Sequence, residues 1–290
     1  MPDTTLAQVV SDWYATAARD LPWRRPDVDA WAVLVSEVML QQTPVARVLP
    51  AYAAWLERWP TPEALAADPP GEAVRMWGRL GYPRRALRLH ACAVTVVERH
   101  GGRLPSAVEE LLTLPGIGDY TARAVVAFAH RRRVPVVDTN VRRVVARSVE
   151  GRADAAVTRA DLARVEALLP LDHEAAATAS VALMELGALV CTARAPRCPG
   201  CPVLDRCAWA LAGRPALAAP VRRAQPFAGT DRQVRGRLLA VLREATGPVE
   251  AGALADAWDE PVQRARALDG LVADGLVDPL PDGRYALPGT

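Results

Sequence analysis

With 290 residues, 51% of them hydrophobic, the chain can hold one large core or two modest ones. It has no apolar run of membrane-spanning length and no signal-peptide pattern, so a cytosolic protein is expected. A net charge of +2 excludes a global electrostatic field and leaves any nucleic-acid surface to a local patch. All 35 basic residues are arginine, so no lysine amine can form a Schiff base; only the N-terminal amine remains, proline once Met1 is removed.

Alanine, leucine and arginine dominate and β-branched runs are short, which predicts an all-α fold. Residues 6–18 read as an amphipathic helix with Leu6, Val9, Val10, Trp13 and Tyr14 on one face. Leu21-Pro22-Trp23-Arg24 follows, pinned by its proline and tryptophan. Asp29 can cap a helix over 30–40 that is apolar apart from Ser36 and Glu37. Gln41-Gln42 ends it. Thr43-Pro44 reads as the N-cap and first residue of the next helix, which runs toward Trp59 with a kink at Pro50. Thr61-Pro62-Glu63 starts a short helix by the same device. Helices over 72–80 and 84–100 flank the corner Gly81-Tyr82-Pro83, and further helices cover 106–112, 120–130, 141–148, 159–169 and 175–190. Residues 213–230 lack periodicity and read as a linker. Helices over 231–245, 251–258 and 261–274, then a small β-wing within 276–287, give 231–290 the order of a winged-helix module.

The chain is organised around Leu114-Pro115-Gly116-Ile117-Gly118. Two glycines around one apolar residue allow a tight turn and present successive amides at a helix N-terminus, an arrangement that suits a phosphate. Ile117 points inward and joins the two helices. Twenty residues beyond Gly118, after an apolar run, stands Asp138. A phosphate-gripping hairpin followed by a lone carboxylate suggests an enzyme acting on nucleic acid. Asp138 can also cap the next helix, whose amides would keep it charged.

Cys191, Cys198, Cys201 and Cys207 have the spacing C-x6-C-x2-C-x5-C. In a cytosolic chain this density reads as a metal site rather than disulfides. Zinc and a [4Fe–4S] cluster both accept four cysteines, and a single central C-x2-C with longer flanks favours iron–sulfur. Arg194 and Arg197, in the first loop of this cluster, read either as a DNA-backbone contact or as solvated charges. Cys92 stands alone and reads as a small core residue.

Ser36-Glu37-Val38-Met39-Leu40-Gln41-Gln42-Thr43, Leu80-Gly81-Tyr82, the hairpin, Val137-Asp138-Thr139-Asn140-Val141-Arg142-Arg143 and the four cysteines occur in that order. Together, over residues 6–210, they resemble the helix-hairpin-helix DNA glycosylases of base excision repair, and within them the A/G-specific adenine DNA glycosylases. The resemblance implies two helical domains. Residues 29–136 would form a six-helix barrel, and 1–28 with 137–212 an iron–sulfur domain holding a [4Fe–4S] cluster on the four cysteines. It implies a monomeric, nucleoid-associated enzyme that binds double-stranded DNA and hydrolyses the N-glycosidic bond of adenine opposite 8-oxoguanine or guanine. Bifunctional relatives carry lysine directly after the hairpin, where this chain has Tyr120, so the expected enzyme is monofunctional.

The resemblance also distributes roles. A duplex hides the glycosidic bond, so the target nucleotide must be extruded at a cost of a few kcal/mol. Gln42 and Tyr82 would fill the vacated stack. Gln41, Arg84, Arg143 and the amides at Gly116 and Gly118 would hold the DNA. Glu37 would protonate adenine at N7, its apolar helix raising its pKa by desolvation. Asp138 would face the oxocarbenium-like transition state, electrostatically or covalently. Asn140 would support it, Tyr120 would line the pocket, and Trp23 and Arg24 would border the adenine.

Two departures stand out. Val181 occupies a position where relatives carry Glu or Gln facing adenine, and Glu185 reads as a helix-packing residue. No histidine follows His173, and the Nudix-like reader of 8-oxoguanine has no counterpart here. The winged-helix-like module could bind DNA, contact a partner or stabilise the core. The competing functions are a glycosylase for another mismatched base, such as thymine opposite guanine, and a non-catalytic iron–sulfur DNA-binding module.

Overall fold

The computed structural model describes residues 4–153, 158, 160–216 and 227–289. Its helices are α1 (Leu6–Ala17), α2 (Ala30–Leu40), α3 (Val45–Arg58), α4 (Pro62–Ala67), α5 (Pro70–Trp77), α6 (Arg84–His100), α7 (Val108–Leu111) and α8 (Asp119–Phe128). They continue as α9 (Thr139–Ser148), α10 (Asp161–Leu168), α11 (His173–Leu189), α12 (Ala208–Leu211), α13 (Asp231–Glu244), α14 (Ala251–Ala255) and α15 (Pro261–Ala273). Short 3₁₀ turns cover Pro22–Arg24, Cys198–Gly200 and Leu204–Arg206. Two short strands, β1 (Asp278–Pro279) and β2 (Tyr285–Ala286), pair antiparallel. Among the described residues, no helix is long and apolar enough to cross a membrane.

Caps set most boundaries where the sequence puts them. Asp29 accepts from the Ala32 amide at 2.8 Å, and Thr61 caps α4 by accepting from Ala64. One cap differs: α3 begins after Pro44, because the Thr43 hydroxyl is committed elsewhere, bonded to Leu80 O at 3.3 Å and to Arg85. The helix expected over 106–112 shortens to α7, a single turn. The predicted linker over 213–230 falls partly on 217–226, outside the described residues.

The chain divides into two compact units: Met1–Val33, Ser106–Glu109 and Gly118–Val221 in one, Leu34–Pro105, Glu110–Ile117 and Arg222–Thr290 in the other. The resemblance places α8 with the barrel and sets the C-terminal module apart. In the structure α8 groups with the first unit and the module with the second.

In the first unit α11 is the central element, packed by α1, α8 and α9. Val10 of α1 is fully buried against Val141, Val145 and Leu186, with Leu6, Val9, Trp13 and Tyr14 around it, which is the predicted apolar face of α1. Ala124 and Ala127 of α8 pack with Val136, and Tyr120 and Met184 cover them. The arginines after α8 fold back on the start of α11: Arg131 pairs with Glu174 at 2.7 Å, and Arg133 donates to Pro170 O at 2.9 Å.

In the second unit Trp55, Trp59 and Trp77 are buried edge to face, with centroids 4.6 and 5.6 Å apart. Such pairs add about 0.5–1.5 kcal/mol each beyond area burial. The lone Cys92 is fully buried, its thiol pushed up to about 12 by desolvation. The winged-helix module docks on α5 through reciprocal capping. Arg75 of α5 donates to the carbonyls of Leu242, Arg243 and Ala245 at the end of α13. Arg243 donates back to Val74 O at 2.9 Å. Helix C-termini leave carbonyls without intrahelical donors, and each arginine supplies them to the other helix. Gly71 seals the contact: its amide bonds Pro288 O at 2.8 Å, and a Cβ there would lie 2.7 Å from that oxygen.

Candidate active site and cysteine centre

Glu37 lies on α2 of the second unit and is 6% exposed, between the buried Ser36 and Val38. Beyond it, α2 ends in a corner where Gln42 is exposed and adopts the left-handed conformation (φ 55°). The corner before α6 repeats the feature: Tyr82 has φ 48° and is 56% exposed. Left-handed backbone at a residue other than glycine costs about 1–3 kcal/mol and persists only where the surroundings impose it. Both side chains expected to fill a vacated DNA stack are thus held outward on strained corners. Tyr82 is not a core residue. Arg84 pairs with Asp274 of the winged-helix module at 3.1 Å.

The hairpin keeps its predicted local form. Ile117 is buried and its amide donates to Leu114 O at 3.3 Å. Gly116 has φ 77°, and a Cβ there would lie 2.7 Å from Arg88 Cβ, so only glycine fits. Gly118 is the N-cap of α8 in extended conformation.

In the first unit Asp138 is the N-cap of α9. It accepts from the Val141 amide at 2.7 Å and from Asn140 Nδ2 at 2.8 Å. Capping alone would pull its carboxyl below the usual range, but burial outweighs the hydrogen bonds and the nearby Arg143, and its pKa is raised. Asn140 in turn accepts from Arg143 Nη2 at 2.6 Å. Arg143 also donates to Cys191 O at 2.6 Å and Gly187 O at 2.7 Å. Its guanidinium, expected at the DNA backbone, is engaged inside the protein, tying α9 to α11 and the first cysteine. Gly187 permits this closeness, since a Cβ there would lie 2.6 Å from Asn140 Cβ.

Trp23 is buried in its 3₁₀ turn, and the neighbouring Arg24 is anchored on Glu185 at 2.9 Å. Arg19 grips the same carboxylate from Nε at 2.8 Å, Nη2 at 2.6 Å and its own amide at 3.0 Å. Glu185 is fully buried; desolvation would raise its pKa, but Arg19 and Arg24 hold it down to about 2. It is a charged anchor fixing the turn of Trp23 and Arg24 to α11, more than the packing residue its sequence context suggests. Val181 lies one turn earlier on α11, partly buried.

Cys191, Cys198, Cys201 and Cys207 line one cavity with apolar walls that include Val144, Leu186 and Val203. Among the described residues, no group of three or more His, Cys, Asp or Glu side chains is placed to hold a metal ion. Four cysteine thiols around one cavity with apolar walls are a donor set of the kind that a [4Fe–4S] cluster or a zinc ion takes. Burial pushes the Cys191 and Cys201 thiols up. Beside them Arg147, 3% exposed, reaches Cys191 Sγ at 3.5 Å and Thr192 O at 2.7 Å, with its guanidinium 4.7 Å from the Trp209 ring centroid. Sequence reading passed over Arg147 and Arg85; their only signal is an arginine at a buried helical phase. Arg194 and Arg197 are exposed.

Residues 35–166 match the family model described as HhH-GPD superfamily base excision DNA repair protein. The adenine DNA glycosylase of Mycolicibacterium smegmatis is 60% identical over 278 residues, covering 96% of this chain and 94% of that protein. The human adenine DNA glycosylase is 43% identical over 210 residues, 67% of this chain and 37% of that protein. The structure of a thermostable thymine-DNA glycosylase superposes with a TM-score of 0.65 at 27% identity, covering 71% of this chain and 95% of that one. A non-covalent endonuclease III–DNA complex shares the fold at TM-score 0.61 and 24% identity, covering 71% and 94%. With the family model over residues 35–166 and a relative 60% identical over 96% of the sequence, the chain belongs to the HhH-GPD superfamily of base excision DNA repair proteins, as a DNA glycosylase grouped with the adenine DNA glycosylases.

Proposed function

We propose that this enzyme, acting as a monomer in the cytoplasm on nucleoid DNA, removes adenine paired with 8-oxoguanine or guanine and leaves the strand intact. The observation that carries this reading is Glu37, a carboxylic acid 6% exposed on an apolar helix that leads directly into Gln41-Gln42-Thr43. Glu37 donates a proton to N7 of adenine. The C1′–N9 bond then breaks, its electron pair leaving with adenine. Positive charge develops on C1′ and the ring oxygen, and the ionised Asp138 stabilises it. Water adds to C1′ and gives up one proton to solvent, leaving an abasic site, and the Glu37 carboxylate takes up a proton to restore the acid. Asn140 orients Asp138, Tyr120 lines the pocket, and Trp23 and Arg24 border the base. Gln42 and Tyr82 occupy the vacated stack while the amides at Gly116 and Gly118, with Gln41 and Arg84, hold the backbone. The four cysteines would hold a [4Fe–4S] cluster, which supplies a structural tie and a one-electron centre.

The test is single-turnover excision on duplexes carrying A opposite 8-oxoguanine, A opposite G and T opposite G. The A strands are expected to break only after alkali, and borohydride to trap no enzyme–DNA adduct, because the chain has no lysine. Excision confined to T opposite G would support the thymine reading instead.

A further inference from the structure

We infer that Arg85 is the positioning residue for Gln42 and Tyr82, a single guanidinium that clamps the two outward corners of the second unit to each other. The inference rests on the proposed stack-filling role of those two side chains. Arg85 lies on the first turn of α6, three residues after Tyr82, and is 6% exposed. Its Nη1 donates to Val38 O at 2.7 Å, Met39 O at 3.1 Å and Gln41 O at 2.7 Å. These carbonyls end α2, where intrahelical donors run out and the helix dipole is negative. Its Nη2 donates to Thr43 Oγ1 at 3.0 Å and Gly81 O at 3.0 Å. Residues on both sides of Gln42, and the residue before Tyr82, therefore meet at one group.

Further contacts close the same cluster. Thr43 Oγ1 bonds Leu80 O at 3.3 Å, and Trp77 Nε1 donates to Gly81 O at 2.9 Å. The guanidinium carbon sits 5.6 Å from the Tyr82 ring centroid and 5.1 Å from that of Trp77. Burial without hydration lowers the Arg85 pKa to about 10. A charge placed at that cost, on neutral oxygens at two left-handed residues, has the form of a rigid support rather than a surface contact. An aromatic and an amide can fill one gap in a duplex only at a fixed separation, and the clamp sets that separation before DNA arrives.

The test compares the wild type with Arg85→Met, Arg85→Lys, Gln42→Ala, Tyr82→Ala and the double variant Tyr82→Ala/Arg85→Met. Each is assayed on an A-opposite-G duplex with 2-aminopurine beside the target adenine, whose fluorescence rises when the adenine leaves the stack. Arg85→Met should cut both the fluorescence rise and single-turnover excision by about 10–100-fold, the scale of an ångström-level misplacement. Arg85→Lys, with fewer donors, should fall between it and the wild type. In the double variant Arg85→Met should add little to the loss from Tyr82→Ala, as expected for residues acting through one another. The inference is overturned if Arg85→Met behaves as wild type, if it slows excision with a normal fluorescence rise, or if the two losses multiply. Should Arg85→Met not fold, Arg85→Lys carries the same comparisons. Wild-type behaviour of Gln42→Ala and Tyr82→Ala would instead reject the stack-filling reading itself.

Discussion

Asn140 donates to Asp138 Oδ2 at 2.8 Å while its own carbonyl oxygen accepts from Arg143 at 2.6 Å, so the candidate catalytic carboxylate is held through a relay that ends at Cys191. Burial raises the Asp138 pKa against these bonds. For a carboxyl so shifted, the stability contribution is complete below the unfolded pKa and is lost as pH rises through the folded one. At neutral pH the ionised Asp138 therefore opposes folding. Asp138→Asn retains a capping oxygen and should melt at or above the wild-type temperature while losing at least ~100-fold in single-turnover excision. The acid limb of the wild-type pH–rate profile should lie above the ordinary aspartate value of 3.8 and vanish in the variant. A limb at or below that value would contradict the assignment.

Gly187 sets the distance between α11 and Asn140. Alanine there favours the helix by roughly 0.8–1 kcal/mol in isolation, but its Cβ meets Asn140 Cβ at 2.6 Å. Gly187→Ala should be destabilising overall, by about 1–3 kcal/mol as for an overpacked core, and should slow excision. Denaturant titration and single-turnover kinetics measure the two effects. A more stable, fully active variant would show that α9 can move freely.

Glu185 ties Arg19 and Arg24 to α11. Its folded pKa of about 2 lies below the ordinary value of 4.5. A depressed carboxyl contributes stability that is present above the unfolded pKa and lost as pH falls through the folded one, here from about 4.5 to about 2. Removing one member of a buried pair strands the others, so Glu185→Ala should cost about 3–5 kcal/mol in a denaturant titration at pH 7. Its deficit should shrink as pH falls through that window. A deficit independent of pH would assign Glu185 a packing role.

The proposed [4Fe–4S] cluster on the four cysteines predicts a brown protein that holds iron rather than zinc after anaerobic purification. Replacing Cys201 with serine should reduce bound iron and destabilise the first unit, since the cysteine loop packs on α9 and α11 through Val190 and Val203. Stoichiometric zinc without iron would reject the cluster.

Local signals were legible where a single residue type carries them. Asp29, Thr61 and Asp138 cap helices because a side-chain oxygen reaches back to a free amide, and that is written in three or four consecutive residues. The exposed corner at Tyr82 was legible only through the family resemblance, because Gly81-Tyr82-Pro83 by itself suits an inward aromatic equally well. What turns Tyr82 outward is the backbone conformation supported by Arg85, whose partners lie up to 47 residues away in sequence. Arg143 and Glu185 were misjudged for the same reason: an arginine on a helix near DNA-binding motifs and a glutamate on an apolar helix reveal their use only when α9, α11 and the turn before α2 meet. Docking of the winged-helix module on α5 likewise depends on arginines capping helices about 170 residues away.

The central claim is that Glu37 supplies the proton that lets adenine leave, and single-turnover excision by Glu37→Gln on A opposite 8-oxoguanine tests it most directly. Glutamine keeps the shape and hydrogen bonding of the side chain and removes the acid. The rate should fall at least ~100-fold while binding of the duplex is retained. The wild-type enzyme should bind a duplex whose adenine lacks N7 and leave it uncut. Excision by Glu37→Gln at nearly the wild-type rate would contradict the account and move the acid to another group.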